Sequence, residues 1–258
     1  MVGKKEPFFQ IKDLTLGYGG RVVLCDLNFT VNRGDIFVIM GASGCGKSTI
    51  MRSMIGLMRP ESGRVIVDGI DLWSLSNDER ARVIETFGIS YQGGALFSSM
   101  TVRENVALPL ELKTNMTPRE INEQVNETLK LVGMDGYQNL YPPEISGGMI
   151  KRTALARAMI LNPRVLFFDE PSAGLDPVHS ANLDGLIQKI NRTMGTTIIM
   201  VTHELPTIMT IATNSVYIDS ETRTVGATGA PKQILKTTKN RKIIDFLTRN
   251  KTYMGAGK

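Results

Sequence analysis

The chain has 258 residues, 42% of them apolar, and a formal net charge of +5. That is enough for one substantial core, or a core with a subdomain. Nothing in it approaches the run of about 18 apolar residues that a membrane span needs. The charge is uneven: residues 232–258 hold eight Lys or Arg and one acid, Asp245, which leaves residues 1–231 slightly acidic. The body is therefore a poor nucleic-acid surface. The tail suits an acidic partner, an anionic membrane surface or plain solvation equally well. Two cysteines, Cys25 and Cys45, make no disulfide framework, and Met1–Pro7 has no apolar run after its basic pair. A cytosolic chain without a secretory signal is expected.

In chain order, Phe8–Leu16 and Val22–Val31 read as strands, with Gly17-Tyr18-Gly19-Gly20 as the turn between them. A third apolar run, Ile36–Met40, leads into Gly41-Ala42-Ser43-Gly44-Cys45-Gly46-Lys47-Ser48-Thr49, and a helix-like run follows over Thr49–Leu57. Strand, glycine-rich loop and helix in that order form the context of a phosphate-binding P-loop. Glycines let backbone N–H groups close round phosphate without a Cβ in the way. The helix start adds partial positive charge at the same place. Lys47 has the reach for the β and γ phosphates, and the Ser48 hydroxyl suits Mg²⁺. Cys45 is expected beside Lys47 and the helix start, both of which favour its thiolate.

Arg64–Val67 and Phe87–Tyr91 read as further strands, and the texture changes after Gln92. Ile121, Val125, Leu129 and Val132 give Pro118–Val132 one apolar helical face, with Thr117 as N-cap and Pro118 at the first position. Ser146-Gly147-Gly148-Met149 precedes an alanine-rich run, Thr153–Ala158, so a second anion site at a helix start is expected there. Strand-helix alternation then returns. Val165–Phe168 is a buried strand that ends in Asp169 and Glu170, which puts both carboxylates at the carboxyl edge of the sheet. Asp169 can hold Mg²⁺ there, and Glu170 can orient or deprotonate water. Leu183, Leu186, Ile187 and Ile190 mark a helix, Thr197–Val201 another buried strand, and His203 follows it at the same edge. The alternation predicts an α/β fold with a mostly parallel sheet, interrupted by a helical insertion at about 93–161.

Together these segments resemble the ABC (ATP-binding cassette) ATPases over nearly the whole chain. The order is specific: an aromatic loop at Tyr18, Walker A at Gly41–Thr49, a Q-loop at Gln92, the signature at Ser146–Gly148, Walker B at Val165–Glu170, a D-loop around Asp176 and a switch at His203. The resemblance implies a P-loop NTPase (RecA-like) core, an antiparallel β subdomain and an inserted α-helical subdomain. It divides the chain into a cassette at 1–238 and a basic extension at 239–258. ATP and Mg²⁺ are the implied cofactors. By position, Tyr18 stacks on adenine, Lys47 and its loop bind phosphate, and Ser48, Asp169 and Gln92 serve the metal. Glu170 and Gln92 serve the attacking water, and His203 contacts the γ-phosphate. Ser146, Gly147 and Gly148 complete the site of a second copy, with Asp176 at the head-to-tail interface. The signature departs from the common pattern at Met149, where an amide donor is usual and a thioether donates nothing.

Met149 with Lys151-Arg152 and Ala154–Ala158, and Gln92–Phe97 with Met100–Leu110, look like one branch, the ATPases of the Mla/Mce lipid-transport systems. That branch implies a peripheral subunit on the cytoplasmic face of the inner membrane. Its implied partners are permease subunits, an Mce-domain protein, in some members a small STAS-domain subunit, and a lipid held by the complex. A cassette for a polar solute or for lipoprotein release is the alternative. A non-transport ABC protein acting on DNA or the ribosome fits poorly, because the chain has one cassette and only a short insertion.

Overall fold

A computed structural model describes residues 6–248. Strands β1 (Pro7–Tyr18) and β2 (Arg21–Asn32) form a hairpin, and β3 (Ile36–Gly41) leads into helix α1 (Lys47–Met54). Next come β4 (Ser62–Val67), β5 (Ile70–Asp71), α2 (Asn77–Ile84), β6 (Phe87–Ser90), α3 (Val102–Lys113), α4 (Pro118–Leu131) and α5 (Gly147–Met159). They are followed by β7 (Val165–Asp169), α6 (Pro177–Met194), β8 (Thr197–Val201), α7 (Leu205–Ile211), β9 (Asn214–Asp219), β10 (Thr224–Thr228), α8 (Pro231–Thr237) and α9 (Arg241–Thr248). Two compact units result. One holds the described chain up to Glu85 and from Thr197 onward, and the other holds Thr86–Thr196.

In the first unit β2, β1, β4 and β5 make an antiparallel sheet. The hairpin turn is tighter than the expected four residues. Gly17 and Tyr18 still pair, with Val22 and Arg21, and only Gly19 and Gly20 turn. Both have positive φ, as a two-residue hairpin requires. Strand β3 pairs in parallel with β8 and β9, and β10 runs antiparallel to β9. Every residue of β3 and β8 is buried. That explains their unbroken apolar sequence, since parallel strands are covered on both faces. Helix α1 begins at Lys47, two residues before the apolar run suggested, because the glycine loop itself delivers the chain into the first turn.

The second unit pairs β6 with β7 in parallel and also holds helices α3 to α6. Thr101 and Thr117 each cap a helix through a reciprocal box with a glutamate three residues on, Glu104 and Glu120. The threonine hydroxyl and backbone N–H hold each of these carboxyls below the usual glutamate range. Helix α3 contains Pro109, which reads as a breaker in sequence. Buried Asn105 secures its start, donating to Phe97, Met100 and Thr101 carbonyls at 3.0 Å and accepting from Phe97 N–H at 2.8 Å.

The basic segment expected from 239 onward begins as α9, whose Ile243 and Leu247 are buried. Phe246 sets its ring 5.3 Å from that of Tyr217. Residues 249–258 lie outside those described.

Candidate nucleotide site

The phosphate loop is shaped by two glycines that accept no side chain. At Gly41, φ 153°, a Cβ would stand 2.7 Å from the Ile218 carbonyl oxygen and 2.8 Å from Cys45 Sγ. At Gly46, φ 99°, it would stand 2.7 Å from Leu24 Cδ1. Between them Ala42, Ser43 and Gly44 are exposed, while Lys47 is only 6% exposed. Its Nζ donates to Gly41 O at 3.0 Å and Ala42 O at 2.9 Å, which holds the cation against the loop. No side chain caps α1, and no acid sits in its first turn. Its leading N–H groups and its positive dipole end are left for an anion. Ser48 and Thr49 lie half-buried in that turn.

Tyr18 is half exposed, and its phenol bonds Thr49 and Arg52, which lowers its pKa. The ring is thereby tied to the first turns of α1. Strands β3 and β8 pair as parallel neighbours through Ile39 and Val201. His203 therefore leaves from the same sheet edge as the phosphate loop, half exposed, with Nε2 3.7 Å from Glu204.

Cys45 departs from expectation. It is only 6% exposed, and burial pushes its thiol up; Lys47 nearby offsets this only partly. Desolvation outweighs the cation, so the resting group is a protonated, shielded thiol.

In the second unit, Ser90 of β6 pairs with Phe168 of β7, so Gln92 and the acids at 169–170 leave one edge together. Glu170 has φ 48°, a left-handed conformation that is costly for a side-chain-bearing residue and that gathers at functional sites. Gln92 is exposed. Ser146 is the N-cap of α5, accepting from Met149 N–H at 3.3 Å, and Gly147 and Gly148 open the helix. Asp176 caps α6, accepting from His179 N–H at 3.1 Å and Val178 N–H at 3.0 Å; the His179 backbone, then its ring, holds the carboxyl below its usual range. A Cβ on Gly148 would lie 3.5 Å from His179, so the signature and the D-loop segment adjoin.

Sequence reasoning missed two cations here. Lys151 Nζ donates to Gln92 O, and Arg157 donates to Gly94 O and Ala95 O, both at 2.8 Å. The only sequence signal was the presence of basic residues on the helix after Ser146, and nothing there says which way they point.

The residues fit a magnesium-bound polyphosphate. The loop is a backbone cradle that a Cβ would fill, with a buried ammonium at its mouth. Ser48, in the same unit, offers an oxygen donor of the kind a hard cation takes. The family described as ABC transporter matches residues 24–173. The chain belongs to that family.

The cassette is 42% identical over 205 residues to the "Probable ribonucleotide transport ATP-binding protein mkl" of Mycobacterium bovis, covering 80% of this chain and 57% of the relative. It thus spans a little over half of that relative's length. It is 37% identical over 242 residues to the intermembrane phospholipid transport system ATP-binding protein MlaF of Haemophilus influenzae, covering 94% of this chain and 90% of the other. With the methionine import ATP-binding protein MetN of Photobacterium profundum it shares 44% over 185 residues, 72% of this chain and 54% of the other. Among solved structures, cbiO1 from Clostridium perfringens, part of the complex cbiONQ, superposes with a TM-score of 0.83 at 26% identity, covering 95% and 96% of the two chains. The dimeric cassette MJ0796 bound to ADP and Pi gives 0.76 at 28% identity, covering 86% of this chain and 98% of that one. The expected α/β P-loop NTPase fold is borne out.

Proposed function

We propose that this cassette is the ATP-hydrolysing subunit of a transporter that moves phospholipid or another hydrophobic molecule between bacterial membranes, together with an Mce-domain protein. The observation that carries this is the likeness to MlaF, which runs through 94% of this chain and 90% of the relative. The likenesses to mkl and MetN take in only 57% and 54% of those proteins. Met149 and the Gln92–Phe97 segment point the same way.

In this reading Lys47 and the N–H groups of Gly41–Thr49 hold the phosphates, and Tyr18 receives the adenine. Ser48, Asp169 and Gln92 would hold Mg²⁺, which supplies charge neutralisation and alignment of the phosphates when bound. Glu170 orients the attacking water and takes its proton on a carboxylate oxygen, Gln92 positions that water, and His203 Nε2 steadies the γ-phosphate. Ser146, Gly147 and Gly148 complete the site of a second copy in a head-to-tail dimer, with Asp176 at the interface. MJ0796 supports the dimer, being dimeric itself.

Among the described residues no helix is long and apolar enough to cross a membrane. In the reading proposed from the likeness to MlaF, the subunit acts from the cytoplasmic face of the inner membrane, docked on permease subunits, with a STAS-domain subunit where the system has one. Purification from native membranes tests the substrate class: an Mce-domain partner and retained phospholipid are expected. A permease served by a periplasmic solute-binding protein, with no Mce-domain partner, would instead favour the polar-solute reading that the 44% identity to MetN supports.

A further inference from the structure

Helix α5 carries two cations that grip a single loop. Lys151 Nζ donates to Gln92 O. Arg157 donates from Nη2 to Gly94 O and from Nη1 to Ala95 O, each at 2.8 Å. Three carbonyls between 92 and 95 are thus bound by one helix. The loop has the shape that such binding demands. Gly94 and Ala95 both have positive φ, 75° and 48°, which is unfavourable for alanine. A Cβ on Gly94 would sit 2.9 Å from Ile150 Cγ2, so the loop lies flush on α5.

Both cations give up water for this. Burial pushes the Lys151 amine and the Arg157 guanidinium down, and the charge of Glu170 pushes Lys151 partly back up. Lysine and arginine are rarely withdrawn from solvent unless charge-assisted bonds compensate them. Here the compensation comes from the Q-loop carbonyls.

We propose that Lys151 and Arg157 are positioning residues that fasten the Gln92 loop to the signature helix. The inference rests on the hydrolytic roles given above to Gln92 and Glu170. It assigns the pair to the chemical step and not to nucleotide capture, since neither cation belongs to the phosphate loop.

The test uses the full-length chain and Mg-ATP, with kcat, KM and melting temperature measured for Lys151→Met, Lys151→Gln and Lys151→Arg. Lys151→Met should lower kcat about tenfold with KM within about twofold, the signature of an interaction that matters in the transition state alone. Lys151→Arg, which keeps charge and donor, should recover to within about threefold of the parent. Lys151→Gln, which keeps only a donor, should fall between. If the Met variant does not fold, the Gln and Arg pair decides: equal rates in the two overturn the idea. So does an unchanged kcat in Lys151→Met, or a rise in KM that accounts for the whole loss. In Arg157→Met, amide exchange at residues 93–97 should quicken while that of β7 does not; no change there would remove Arg157 from the role. A Glu170→Gln control separates the failures. Normal turnover in that control would sink the hydrolytic reading itself. An inactive Glu170→Gln beside a normal Lys151→Met would sink this inference alone.

Discussion

The phosphate loop in the first unit and the Q-loop in the second are both glycine-containing loops that follow a strand, yet they are held in opposite ways. The first is defined by its own backbone: Gly41 and Gly46 occupy conformations and spaces that exclude a side chain, and Lys47 closes back on carbonyls only five and six residues away. The second is held from outside, by Lys151 and Arg157 reaching from a helix about sixty residues later in the chain. A self-shaped loop presents an anion site built from its own backbone. A loop held by a distant helix can report on that helix.

Four experiments test this contrast, from the largest effect to the smallest. Lys47→Ala, or a Cβ at Gly46, strikes the self-shaped loop. Nucleotide affinity and turnover should fall by roughly 100-fold or more for Lys47→Ala, as loss of a charge-assisted phosphate contact implies, checked by titration with a fluorescent ATP analogue. Ser146→Arg strikes the other side. It should abolish hydrolysis while each protomer still binds ATP, and a parallel loss of binding would show that Ser146 serves its own protomer's loop. Cys45 measures how closed the first loop is. Maleimide should modify it at least about tenfold more slowly in the native chain than in urea, because the shielded thiol is the unreactive form; fast native labelling blocked by Mg-ATP would restore the exposed thiolate. Thr117→Ala removes one helix cap in the second unit and should lower the melting temperature by roughly 2–4 °C, with nucleotide binding unchanged.

What could be read from sequence follows the same divide. The Walker A loop, the capped helix at Pro118 and the acids ending β7 are local: their chemistry depends on neighbours in the chain, and spacing reveals them. The Gly17-Tyr18 pairing was misread because a glycine and an aromatic beside two more glycines look like a turn, whereas the hairpin register decides where it lies. The grip of Lys151 and Arg157 was hidden by the distance along the chain to their carbonyls. Cys45 was misjudged for a related reason. Its cationic neighbour is visible in sequence, but its burial beneath the loop is not.

The central claim is that the cassette turns over ATP with Glu170 as the group that handles the water. It is tested most directly by steady-state hydrolysis and ATP binding in Glu170→Gln beside the parent. The account predicts that the parent hydrolyses Mg-ATP, and that the variant binds ATP with similar affinity, loses turnover by about 100-fold or more and accumulates as the ATP-bound dimer. Turnover near that of the parent, with ATP binding intact, would contradict it.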